Sequence, residues 1–454
     1  MKILNFLLLI FLQFLSGFGL IIKIDKNLSR FTLLPISLLA GASLGTFIIY
    51  LMGILSIPIK WLYFLILFTL LTLLLLLPYN KTFSLLKTIF FKKFTDIKIY
   101  ELLTVFFILQ VYYISAWRTY YQPIISFDAI CGIDLFAKNA IKDGKLVCWI
   151  FDGNYIKNLS TQAYYAPFTA FQQIIYRFAG FEVGQIWLSM IFLSLIIFMY
   201  HSMKSFCHPA LAGFIVYITI TIPEFYAYTF ILQTDFSNSV FIAIAVFYFA
   251  QFWKTNLIPK LYLSGLFFAF SVWSRSESIF FIPFFSILVM YKLKNLNLIS
   301  NIKHTSFFSA VSIAPFILWN IIFYRFYFPN APQTSEILKI GNYSISSISS
   351  ILSEFNKKVI FEDDYWGYFI YVVLAMIILD IVVFRKINGY IFLIAIFIFY
   401  ITFILLEMHF VHFNIEYTFR RGFFKFLLVG SYYLIQSELI IRISNWLYRF
   451  EKNI

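Results

Sequence analysis

The chain has 454 residues, of which 61% are hydrophobic and 12% charged, with a net charge of +14 and a mean hydropathy of +0.85. Soluble domains carry roughly 25% charged and 45 to 50% apolar residues, so this composition excludes one. The hydropathy runs along most of the length, which also excludes a soluble domain on one anchor and predicts a polytopic protein solvated by lipid.

A hydrocarbon core about 30 Å thick needs about 20 apolar residues per helix, and long runs without alternation select helices over a barrel. Thirteen runs qualify, at about 4–22, 31–55, 59–77, 100–117, 184–203, 209–227, 237–253, 261–274, 278–291, 305–324, 367–384, 389–407 and 422–441. The expected fold is an all-α polytopic membrane protein, with an N-terminal three-helix region over 1–99 and a larger membrane core over 100–454.

Basic residues in the connections set the orientation. Lys81, Lys87, Lys92, Lys93 and Lys98 face a single acid, Asp96, which places that loop in the cytoplasm. Alternation then puts the N-terminus outside and the C-terminus inside a cell (inner) membrane. The inner side receives 19 of the 35 basic residues and 6 of the 21 acidic ones. The outer side is nearly neutral and holds the other 15 acids. Nearly all the net charge is thus a topology signal, and no nucleic-acid footprint is needed to explain it. Cys131 and Cys148 fall outside, where they form either a disulfide in an oxidising periplasm or two separate thiols.

Two long outer loops, 118–183 and 325–366, and a shorter one, 408–421, break the apolar pattern and are where function is sought. In the first, Ile130, Ile133, Phe136 or Ala137, Ala140 and Ile141 recur at helical spacing. Ser126 or Asp128 can cap the start and Asp143-Gly144 supplies a stop. Asp152-Gly153 marks a turn. A second helix follows, with Pro167 in its first turn and Tyr164, Phe168, Phe171, Ile175 and Phe178 on one stripe. Both read as amphipathic helices on the outer membrane face.

At these residues the sequence resembles a known family. The motifs are Asp128-x-x-x-Gly132-x-x-Leu135-x-Ala137-Lys138 after a span, Tyr164-Tyr165-Ala166-Pro167-Phe168, Thr234-Asp235 opening a span, and Ser274-Arg275-Ser276-Glu277. Their order along residues 100 to 441 resembles the GT-C glycosyltransferases, and within them the protein-O-mannosyltransferase and aminoarabinose-transferase-like group; the three N-terminal spans fall outside it. The resemblance implies a GT-C-like core and transfer of a sugar from a polyprenyl-phosphate carrier to a lipid, glycan or protein acceptor at the outer face. It also implies that the Asp of the first outer loop, here Asp128, is the catalytic base.

The residues carry this chemistry as follows. Inverting transfer needs a base within hydrogen-bond reach of the acceptor hydroxyl, and Asp128 is the candidate; the alternative is a helix cap. Asp134 lies about 120° round a helix from Asp128, and with Lys138 it has the i, i+4 order of a surface ion pair, which competes with substrate contact. Asp235 opens a span and Glu224 closes the one before; intramembrane acids default to functional candidates, and the resemblance favours Asp235. Arg275 and Glu277 interrupt an apolar run of 31 residues, too long for one span at about 46 Å. Arg275 can hold the donor phosphate or can simply pair with Glu277. Arg420 and Arg421, at the entrance of the last span, are further phosphate candidates. His409, His412 and Glu416 would share a helical face at a spacing that suits a divalent metal, but at a membrane rim they read as solvated polar residues, so no cofactor is assigned.

No long cytoplasmic loop or Gly-rich phosphate motif is present, which favours a lipid-linked donor over a nucleotide sugar. The expected function is therefore a membrane glycosyltransferase of the cell envelope. The alternatives are a flippase or exporter of a lipid-linked or polar solute, and an O-antigen polymerase or ligase.

Overall fold

Inside a bilayer each backbone polar group must be satisfied within its own segment, and the described residues of this chain do so with helices. The structure is a computed structural model that describes residues 2–79, 86, 98–148, 165–182, 184–327, 345–409 and 415–452, and no strand occurs among them. The helices are α1 (Lys2–Ile24), α2 (Arg30–Ile54), α3 (Trp61–Leu76), α4 (Ile99–Tyr121), α5 (Asp134–Asp143), α6 (Phe168–Phe178), α7 (Trp187–Lys204), α8 (Pro209–Ile220) and α9 (Pro223–Ala227). They continue as α10 (Thr234–Thr255), α11 (Ile258–Ser274), α12 (Ile282–Lys292), α13 (Leu298–Phe316), α14 (Ile345–Phe355), α15 (Phe369–Ile378), α16 (Tyr390–His409), α17 (Phe424–Leu434) and α18 (Glu438–Lys452).

The chain is a polytopic membrane protein. Helices α1, α2, α4, α7, α10, α13 with its continuation to Phe323, and α16 are each long and apolar enough to cross a bilayer. Each of the thirteen expected ranges contains a helix, although several of these helices are short. The last range is shifted. Among the described residues, helical structure covers Ile415–Leu434 and is followed by α18 at a bend of 51°. Arg442, Arg449 and Lys452 on α18 are costly in hydrocarbon, so the apolar run cannot continue through that helix.

The two ends of the bundle hold separate sets of charges. At one end Lys98 pairs with Glu451 at 2.7 Å, Lys260 with Asp25 at 2.8 Å, Arg442 with Glu438 at 3.1 Å, and Lys204 with Glu101. Asp128, Asp235, Arg275, Glu277, Arg420 and Arg421 pair among other partners. No ion pair among the described residues joins a residue assigned to one side by the alternation with a residue assigned to the other. Lys81, Lys87, Lys92, Lys93 and Asp96, which set the orientation, lie outside the described residues.

The N-terminal helices are tied into the rest of the bundle. The Trp273 indole donates to Thr46 Oγ1 at 2.9 Å, and the Tyr50 hydroxyl to the Leu318 carbonyl at 2.9 Å. Helices α1 and α2 approach so closely that a Cβ on Gly41 would collide with the Gln13 carbonyl, and one on Gly17 with that of Ser37. Gly41→Ala should therefore lower stability by about 2 kcal/mol. Gly45→Ala, whose added Cβ meets nothing nearer than 3.4 Å, should change it little; melting of the solubilised protein compares the two.

Helix α6 differs from the expected surface helix. From Phe168 to Tyr176 every residue is buried. Its polar side, Thr169, Gln172 and Gln173, is covered by protein: Gln172 Nε2 donates to the Ala42 carbonyl on α2 at 2.8 Å. Helix α5 fits its expectation better, with Ile133, Phe136, Ala137 and Ala140 turned inward and Gly144 ending it at φ +64°. That left-handed conformation favours glycine.

Candidate functional site

Asp128 lies in the first turn of the helix leading into α5, where the Ser126 carbonyl accepts the Ala129 and Ile130 N–H groups at 3.1 and 3.0 Å. The Ser126 hydroxyl donates to the Leu232 carbonyl at 2.9 Å, which binds this loop to the entry of α10. The Asp128 side chain makes no capping bond. Its Oδ2 accepts instead from Gln233 Nε2 at 3.2 Å and from Arg421 Nη1 at 3.0 Å. Asp128 Oδ1 accepts no hydrogen bond among the described residues.

Asp235 stands in the first turn of α10. Arg275 adopts an extended conformation that breaks α11, and the 3-10 turn Ser276–Phe281 leads into α12, so the expected interruption of the long apolar run is present. Arg421 and Lys425 lie one turn apart on the approach to and first turn of α17.

These residues form one line of ion pairs. Arg421 Nη1 lies 3.0 Å from Asp128 Oδ2 and 3.9 Å from Asp235 Oδ2, and Arg275 pairs with Asp235. Arg275 Nε lies 3.0 Å from Glu277 Oε2, and Lys425 Nζ is 3.1 Å from Glu277 Oε1. The order is Asp128, Arg421, Asp235, Arg275, Glu277, Lys425, with alternating sign and formally no net charge. Side-chain exposure is 21% at Asp128 and 17% at Arg421, but 1% at Asp235, 6% at Glu277 and 0% at Lys425. The line therefore opens at Asp128 and is sealed at Lys425. Beside the open end, Arg420 Nε lies 3.0 Å from Glu224 Oε1. Burial pushes the Tyr165 phenol up, while Arg275 and Arg421 pull it down.

A layer of small polar groups underlies the line. Ser237 and Ser274 share a hydrogen bond of 2.7 Å, and Asn238 Nδ2 donates to the Ser271 carbonyl at 2.8 Å and to Ser278 Oγ at 2.7 Å. Below it α10 presents Val240 to Phe247, all buried and apolar. Along α10, polarity thus enters from the Asp235 end and stops at Ser239, about one turn below Asp235.

Asp134 and Lys138 do not join this line. They form the i, i+4 pair at 2.8 Å, and buried Asp134 also holds Arg177 at 2.6 Å and Gln173 at 2.9 Å. Cys131 and Cys148 are not joined by a disulfide. No group of three His, Cys, Asp or Glu side chains among the described residues is placed to hold a metal, and His412 lies outside those residues.

Two members were missed from the sequence. Gln233 carries no charge, and its only signal in the sequence is its place two residues before Asp235. Lys425 falls inside the apolar run 422–441, where a lone intramembrane lysine is itself a functional signal. No family model, curated protein or solved structure matches the chain, so function must be read from this site itself.

Proposed function

We propose that the protein is a GT-C-like membrane glycosyltransferase with thirteen spans in the cell membrane. Its N-terminus lies outside, and its active site is at the outer face. It moves a sugar from a polyprenyl-phosphate carrier to an acceptor hydroxyl. The observation carrying this reading is the convergence of Asp128, Asp235, Arg275, Glu277 and Arg421 from four distant stretches onto one line that opens at one end of the bundle.

Because the line is charge-balanced, an incoming donor phosphate must displace a carboxylate from an arginine. The Asp128 to Arg421 pair is the most exposed and opens at the least desolvation cost. Donor phosphate then sits on Arg421, with Arg275 or Arg420 adding positive charge as the leaving group departs. Asp128, released from Arg421, takes the acceptor proton as the hydroxyl oxygen attacks the anomeric carbon and the carbon-to-phosphate-oxygen bond breaks. Asp235 Oδ2, which makes no hydrogen bond among the described residues, is a seat for a sugar or acceptor hydroxyl. A flippase or exporter would need polarity reaching both faces, and the apolar segment Val240 to Phe247 argues against that path. Chemical analysis of envelope glycans in a deletion strain tests the proposal: loss of one sugar substituent is expected, and an unchanged glycan complement contradicts it.

A further inference from the structure

Away from the line of ion pairs, an open recess of about 410 Å³ is bounded by Lys2, Lys138, Ile141, Arg177, Gly180, Phe181 and Glu182. We propose that it seats the phosphodiester headgroup of a membrane phospholipid, whose acyl chains lie along α1. Three cations bound it. Lys2 makes no ion pair among the described residues, and Lys138 and Arg177 share Asp134 and keep donors to spare. Arg177 Nε is buried without a hydrogen-bond partner among the described residues. Against the acids Asp134 beneath and Glu182 on the rim, the recess carries a net charge of +1, which complements the single negative charge of a phosphodiester.

The Lys2 stem is positioned by Gly180. At φ +99°, a Cβ there would lie 2.9 Å from Lys2 Cγ, so the glycine lets the stem cross the end of α6. A lipid is favoured over free phosphate by what adjoins the recess. Ile3, Leu4, Leu7, Leu8 and Phe11 of α1 are exposed apolar residues running away from Lys2 on one helical face. Phe181 packs on Phe6 of α1 at 5.4 Å and on Tyr120 of α4 at 6.3 Å, walling the site between the two helices.

Native mass spectrometry of the full chain in detergent, titrated with phosphatidylglycerol, tests this without any activity readout. Lys2→Gln with Lys138→Gln should weaken the tightest lipid adduct about tenfold. Lys2→Arg with Lys138→Arg should retain it, as should Lys294→Gln with Lys303→Gln at the other end of the bundle. Millimolar inorganic phosphate should leave the adduct in place. Equal lipid retention in the Lys2→Gln, Lys138→Gln protein, or displacement by inorganic phosphate, would overturn the proposal.

Discussion

Asp128→Asn should lower sugar transfer about a thousandfold while leaving membrane insertion and melting temperature nearly unchanged. The amide keeps a carbonyl that can accept from Gln233 and Arg421, so the local hydrogen bonds survive, but it cannot take a proton from an acceptor hydroxyl. Asp128 is at the exposed end of the line, where losing one ion pair changes stability little. Asp134→Asn supplies the opposite pattern. That carboxylate is buried and holds Arg177, Lys138 and Gln173, so its loss should destabilise the fold and leave the activity of the correctly folded fraction within about twofold of wild type. Transfer assays normalised to folded protein separate the two, and a fully active Asp128→Asn protein would remove the proposed base.

Lys425→Met should destabilise the protein by about 3 kcal/mol, because it leaves the buried Glu277 carboxylate with Arg275 alone. Glu277 would then draw Arg275 away from Asp235, and transfer should fall as well. Glu277→Gln added to Lys425→Met removes the orphaned charge and should recover much of the stability, so the two effects should be strongly non-additive. Melting of the two single variants and the double variant in detergent gives the coupling. Additive losses would mean that Lys425 does not act through Glu277.

The site was legible because charge is scarce in this chain. Against an apolar background Asp128, Asp235, Arg275, Glu277, Arg420 and Arg421 each stood out at the end or break of a run, and the positive-inside pattern separated them from the charges of the other end. Their pairing was not legible, since it depends on which helix ends adjoin. Lys425 is hidden because the apolar run starts the final span at 422, with the arginines at its rim, whereas the helix already covers Ile415–Leu434 and carries the lysine one turn inward from Arg421. Helix α6 departs from its expected surface position for a related reason. Thr169, Gln172 and Gln173 have the polarity of a wet face, and periodicity cannot show that α2 and Asp134 supply their partners instead of water. The break at Arg275 was readable from length alone, because 31 apolar residues overrun a bilayer.

The most direct test of the central claim is covalent. Purified protein reconstituted into liposomes with a polyprenyl-phosphate-linked sugar and an acceptor extract, followed by mass spectrometry of lipids and acceptor, should yield a glycosylated product and free polyprenyl phosphate in equal amounts. The Asp128→Asn protein should yield neither. Movement of the intact donor between leaflets with no covalent product, from the wild-type protein, would contradict the glycosyltransferase account and favour a flippase.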